Sequence, residues 1–125
     1  MPQIFVMISP KIKLLVDQAI FQEFDKKITE LIVAQWNIPE SDIAFSAEFL
    51  SHTRGEADIQ VEIRYTDGTD KCRRDRLFNL SKRKQIYLSG VIIKVVKGIV
   101  KKKTDYFPSV SVWIKPFYKG VFTSA

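Results

Sequence analysis

The sequence predicts an α/β sandwich: a four-stranded mixed sheet with two helices on one face, in the order β-α-β-β-α-β. Three observations carry this expectation. Residues 57–65 alternate without a fault, with Ala57, Ile59, Val61, Ile63 and Tyr65 on one side and Asp58, Gln60, Glu62 and Arg64 on the other, which is the period of a strand with one wet face. Two longer stretches carry apolar residues at three-four spacing, the period of a helix. Short apolar or alternating runs flank each of those stretches, so each helix sits between two strands and covers the sheet they form.

In chain order, Gln3–Ile8 is a short apolar run between Pro2 and Ser9-Pro10 and suits a buried strand. From about Lys13 to Trp36 the residues Val16, Ile20, Phe24, Ile28, Leu31 and Ile32 make a helical stripe, which Asn37-Ile38-Pro39 ends because proline cannot continue a helix. Ile43 to Leu50 alternates, with Ile43, Phe45, Ala47 and Phe49 on one face. His52–Glu56 connects this strand to the one at 57–65, and Asp67-Gly68 is a turn signal. Ser81 caps a second helix with the stripe Leu88, Val91, Ile92, Val95, Val96, Ile99 and Val100. Gly90, Gly98 and the β-branched residues are poor helix formers and leave a strand at 91–96 as the competing reading, but the three-four spacing persists over three turns. A last strand at Ser109–Lys115 points Val110, Val112 and Ile114 one way, and a short tail ends in Gly120-Val121-Phe122.

The chain has 125 residues, 46% of them hydrophobic and 27% charged, which fits one domain over residues 1–125 with its own core. A single cysteine, Cys72, and a single histidine, His52, exclude an intrachain disulfide and multi-cysteine or His-rich metal sites. Glycines at 55, 68, 90, 98 and 120 are too far apart for a dinucleotide fingerprint or a phosphate-binding loop. No apolar run reaches the ~18–20 residues of a membrane span. The first ten residues have no basic segment and break at Pro10, a poor signal peptide. A soluble, cytoplasmic protein with no membrane partner is expected.

The net charge of +6 hides a division, for residues 1–62 carry −5 and residues 63–125 carry +11. Such asymmetry suits an anion-binding face, or an acidic surface on one subunit meeting a basic one on the next. The basic set Lys82, Arg83, Lys84, Lys94, Lys97, Lys101, Lys102 and Lys103 could track phosphates, or be a solvated helix face. No aromatic-rich motif interleaves with it, so any nucleic-acid binding is expected to be weak and non-specific. Cys72, in Lys71-Cys72-Arg73-Arg74, has cations that lower a thiol pKa but no evident task, and His52 has no nucleophile suggested beside it.

Met1-Pro2-Gln3-Ile4-Phe5-Val6, Pro39-Glu40-Ser41-Asp42-Ile43-Ala44-Phe45, Leu80-Ser81-Lys82-Arg83-Lys84-Gln85 and Phe107-Pro108-Ser109-Val110-Ser111-Val112 together resemble the tautomerase superfamily. That group includes macrophage migration inhibitory factor, 5-carboxymethyl-2-hydroxymuconate isomerase and 4-oxalocrotonate tautomerase. The resemblance runs over most of the chain as a pattern more than as identities. It implies a homotrimer and a cofactor-independent isomerase that interconverts keto and enol forms of a small carboxylic acid. Its base would be Pro2, exposed as a secondary amine once Met1 is removed. An α-amino group titrates near ~7.7–8.0, and apolar walls or nearby cations lower it further, which suits a general base.

The remaining family positions depart. The arginine that some members carry after the first strand falls at Ile12, between Lys11 and Lys13, and the arginine of the second long strand falls at Ala44. The family's lysine before that strand falls near Ile38, and its last-strand tyrosine and asparagine fall at Ser111 and Trp113. Lys11, Lys13 and Arg64 are the candidate cations for a substrate carboxylate, with Trp113 as a pocket aromatic. Each has a plainer reading: Pro2 as a strand-start proline, the lysines as a solvated helix start, Arg64 as part of a polar sheet face. The alternative function is a non-catalytic binding module of the same fold, whose basic face meets an anionic partner such as nucleic acid.

Overall fold

The computed structural model describes residues 2–50, 57–66 and 82–117. Its elements are β1 (Gln3–Ile8), a 3-10 turn (Pro10–Leu15), α1 (Gln18–Trp36), a second 3-10 turn (Glu40–Asp42), β2 (Ala44–Phe49), β3 (Ile59–Thr66), α2 (Lys82–Thr104) and β4 (Val110–Phe117). The strands form one mixed sheet in the order β2-β1-β3-β4. β1 and β2 are parallel across α1, β3 and β4 are parallel across α2, and the central pair β1/β3 is antiparallel. The predicted sandwich of two β-α-β units is therefore the observed one.

Alternation decides which side of the sheet is covered. Ile4, Val6 and Ile8 of β1 and Ile59, Val61, Ile63 and Tyr65 of β3 are buried, and they meet Ile20, Phe24, Ile28, Ile32 and Trp36 of α1 and Leu88, Ile92, Val96 and Val100 of α2. Burial of a large apolar side chain contributes roughly 1.5–3 kcal/mol, so this layer is what holds the two units together. The stripe at 88, 92, 96 and 100 resolves residues 91–96 as helix. The β-branched residues lower the helix propensity there, and packing against the sheet overrides it.

The first helix begins later than its periodicity suggests. Pro10 opens a 3-10 turn whose Ser9 side chain accepts a hydrogen bond from Lys11 N at 3.2 Å. Val16 is extended, and Asp17 then caps α1 by accepting from Ile20 N at 2.9 Å. Two capping side chains so close together favour two short starts over one long helix. Asn37, at φ 53°, ends α1 in the left-handed region and donates its N–H to Val33 O at 2.8 Å, a conformation that asparagine tolerates better than most residues.

The connection at His52–Glu56, the turn at Asp67-Gly68, Cys72, the Ser81 cap and the tail at 120–122 lie outside the described residues. No helix among the described residues is long and apolar enough to cross a membrane.

Candidate functional site

The uncovered face of the sheet carries Gln3, Phe5 and Met7 of β1, Ala44, Ser46 and Glu48 of β2, Gln60, Glu62 and Arg64 of β3, and Ser111, Trp113 and Lys115 of β4. It is less wet than alternation predicts. Asp58, just before β3, is 5% exposed and Glu62 is 7% exposed. Asp58 is covered because Tyr106 Oη and Ser109 N donate to its Oδ2 at 3.0 and 3.1 Å. Glu62 is covered because Arg64 Nη2 lies 3.1 Å from its Oε2 and Lys115 Nζ 3.0 Å from its Oε1. Burial alone would raise the Glu62 pKa, but the hydrogen bonds and charges of Arg64 and Lys115 outweigh it and hold the carboxyl below its ordinary value.

Aromatic rings flank these cations. The Arg64 guanidinium sits 4.3 Å from the Phe5 ring centroid and Lys115 Nζ 5.5 Å from that of Trp113, within cation–π range. Trp113 lies opposite Glu62 in register and is 58% exposed. Arg64 and Trp113 are thus brought together on one face, bridged by Glu62 and Lys115, two residues that sequence reasoning did not put in the site. The i, i+2 spacing of Glu62 and Arg64 signalled their shared face; Lys115 comes from a strand half the chain away.

Pro2 lies at the N-terminal start of β1. It is buried, and its carbonyl accepts from Ala44 N at 3.2 Å. The next residue, Gln3, pairs with Arg64, so Arg64 is the predicted cation that β-sheet register brings nearest to Pro2. Alternation puts Pro2 on the helix side with Ile4. The same end of the sandwich holds the C-terminus of α1 and the N-terminus of α2: the Trp36 and Tyr65 rings are 5.7 Å apart, and Gln85 Nε2 donates to Tyr65 Oη at 3.5 Å. Trp36 is 2% exposed, and its indole N–H has no hydrogen-bond partner among the described residues.

Lys11 and Lys13 are not brought to Pro2 within one chain. They are exposed in the turn after the far end of β1, and six strand residues at about 3.3 Å each set them about 20 Å away. Lys13 Nζ lies 5.8 Å from the Phe49 ring centroid instead. A surface groove of about 540 Å³ runs along α1 to the second 3-10 turn, with Asp25, Glu30 and Glu40 among its walls; it includes none of the five predicted site residues. No cluster of metal-ligating side chains occurs among the described residues.

This architecture, two β-α-β units with an antiparallel join, is the tautomerase fold. The chain matches no family model and no curated protein by sequence. Among solved structures, it superposes on a member of the cis-3-chloroacrylic acid dehalogenase family with a TM-score of 0.65 at 11% identity, covering 98% of this chain and 79% of that one. Native fused 4-OT gives 0.64 at 10% identity, covering 98% and 91%. A macrophage migration inhibitory factor-like protein from Entamoeba histolytica gives 0.58 at 9% identity, covering 99% and 95%.

Proposed function

We propose that this chain is a tautomerase-type isomerase, cofactor-independent, that moves a proton between keto and enol forms of a small carboxylic acid, with Pro2 as the base after removal of Met1. The observation that carries this reading is the burial of Pro2 immediately before a central strand, at the end where Trp36 and Tyr65 are packed. Burial disfavours the protonated amine, so a free Pro2 nitrogen there would be neutral near physiological pH and able to accept a proton beside a carbonyl. Arg64, in register with Gln3 on the uncovered face, would reach the substrate carboxylate around the start of β1 by exchanging its bond to Glu62 for a bidentate one, with Trp113 beyond Glu62 on that same uncovered face.

A role for Lys11 or Lys13 requires a second copy of the chain, because a single copy keeps them about 20 Å from Pro2. The reading therefore includes a homotrimer. Support comes from Phe5, Met7 and Trp113 on a sheet face that the chain's own helices leave uncovered, and from the fused 4-OT structure described as a symmetric trimer. Such a face lining the centre of a closed ring would bury apolar area that one chain leaves open.

The decisive experiment joins intact mass to a phenylpyruvate-type tautomerisation assay. Activity should appear in preparations whose mass lacks Met1 and be absent where Met1 is retained, since an amide nitrogen is not basic. Full activity with Met1 in place would end the proline mechanism. Light scattering should give about three times the 14.5 kDa chain mass; a concentration-independent monomer would remove the trimer.

A further inference from the structure

α2 carries eight cations (Lys82, Arg83, Lys84, Lys94, Lys97, Lys101, Lys102 and Lys103) and no acidic residue, and all eight are exposed. Its apolar stripe faces the sheet, so the opposite ridge, at spacing four-three-four-three-four, reads Arg83, Tyr87, Gly90, Lys94, Lys97 and Lys101. Two features of this helix work against the fold itself. Cations in the first turn oppose the helix dipole, which favours acidic residues there, and that turn has none. Gly90 and Gly98 each weaken a helix by roughly 0.5–1 kcal/mol relative to alanine, yet a Cβ at either would meet nothing within 4 Å among the described residues. Packing among the described residues therefore does not require these glycines, and their lack of a side chain leaves room for another molecule's backbone to come close.

We propose that this ridge is a docking surface for the phosphate backbone of duplex nucleic acid, bound without reading its sequence. The ridge follows one continuous helix: Arg83 to Lys101 spans about 27 Å at 1.5 Å per residue, long enough to lie across successive phosphates. Gly90, between Tyr87 and Lys94, lets that backbone come close to the helix. Charge complementarity selects a polyanion and excludes a second copy of the same helix, since like charges would face each other. A lipid surface would need a continuous apolar face to insert; Leu88, Ile92, Val96 and Val100 are occupied against the sheet, and the exposed Ile86 and Tyr87 are confined to the start of the helix. Single strands are held chiefly by stacking on several aromatics, and the ridge offers only Tyr87. Bases are read by side chains that present matched donors and acceptors; on this ridge Arg83 alone has a bidentate fork, and Lys94, Lys97 and Lys101 present point charges.

The surface is independent of the proposed Pro2 chemistry and is tested without it. Anisotropy of a labelled 20-base-pair DNA duplex, titrated with the full chain at 50 mM salt, should report micromolar binding, equal within about threefold for two unrelated sequences. Four ridge cations predict a log–log salt slope near −3.6 and a loss of about a hundredfold between 50 and 200 mM. The triple variant Lys94→Gln/Lys97→Gln/Lys101→Gln should keep the wild-type circular dichroism and reduce the slope to about −0.9. Gly90→Leu, which keeps every charge, should weaken binding at least tenfold. The proposal is overturned by absence of duplex binding at 50 mM salt, by an unchanged slope in the triple variant, or by undiminished binding in Gly90→Leu. Preference for phosphatidylserine vesicles over duplex would also overturn it, as would low-salt assembly of the chain that excludes DNA.

Discussion

The two ends of the sandwich are built on different rules. At the end where β1 finishes and β3 and β4 begin, polar groups close on one another. Ser9 N donates to Asp58 O at 2.8 Å, Asp58 N donates to Ser109 O at 3.0 Å and to its Oγ at 2.9 Å, and Tyr106 and Ser109 return bonds to the Asp58 carboxylate. At the end where β1 starts, Pro2 is buried and the Trp36 indole N–H has no partner among the described residues. Satisfied buried networks rigidify a structure; incompletely satisfied buried groups are the ones a bound molecule can complete. The first end holds the strands in register, and the second is where the proposed function puts its chemistry.

The sharpest way to break this contrast is at Pro2. On the proposed function, Pro2→Ala should lower kcat by about 10²–10⁴-fold, the usual contribution of a general base, with a small change in KM and in the denaturation midpoint. Alanine leaves a terminal amine, but a primary one on a freer backbone. Equal losses in the folding midpoint and in activity would mean that Pro2 serves only the strand start.

At the closed end the expected effect is on stability. Asp58→Ala removes the acceptor for Tyr106 and Ser109 in a site that is 5% exposed. It should cost about 2–3 kcal/mol, the range for hydrogen bonds to a buried charge, read as a shift in the urea midpoint with an unchanged slope. The variant should retain activity in proportion to the fraction folded, because the lesion lies at the other end of β1 from Pro2.

How far the sequence foretold these two ends differs for a physical reason. β3 was legible because an alternating pattern states its own faces, and β1 because a short apolar run between prolines suits a buried strand; Pro2 entered through the family resemblance. Asp58 and Glu62 were read as wet, since nothing local reveals that Tyr106 and Ser109 cover the first, or that Lys115 caps the second from a strand about fifty residues on. Burial of a polar side chain is decided by distant partners. Lys11 and Lys13 were candidates because they flank the position of the family's arginine after the first strand, and the extended strand before them holds that position away from Pro2 within one chain. The start of α1 was hidden because Pro10 and Asp17 both signal a beginning, and only the extended Val16 between them shows that they begin different turns.

Acid should expose the role of the ion cluster beside Arg64. The folded-state pKa of Glu62 is depressed, so its ionised form contributes stability above the ordinary carboxylate value, and that contribution is lost as pH falls through the lowered one. Glu62→Gln should therefore flatten the acid limb of the stability–pH curve below about pH 4.3. With Arg64 and Lys115 partly in water, the difference at neutral pH should be about 1 kcal/mol or less. An acid limb identical in wild type and variant would show that the cluster has no net electrostatic role.

The smallest effect should come from Tyr65→Phe, which removes one hydroxyl at the Pro2 end and leaves the ring beside Trp36. A well-formed hydrogen bond contributes about 0.5–1.5 kcal/mol net, and one at 3.5 Å lies at the weak end of that geometry. The loss in stability should therefore be near 0.5 kcal/mol, well below that of Asp58→Ala, although Tyr65 is itself only 4% exposed. Equilibrium urea unfolding resolves the two. A Tyr65→Phe loss as large as that of Asp58→Ala would mean that the Pro2 end is tied as tightly as the other, and the contrast between them would go.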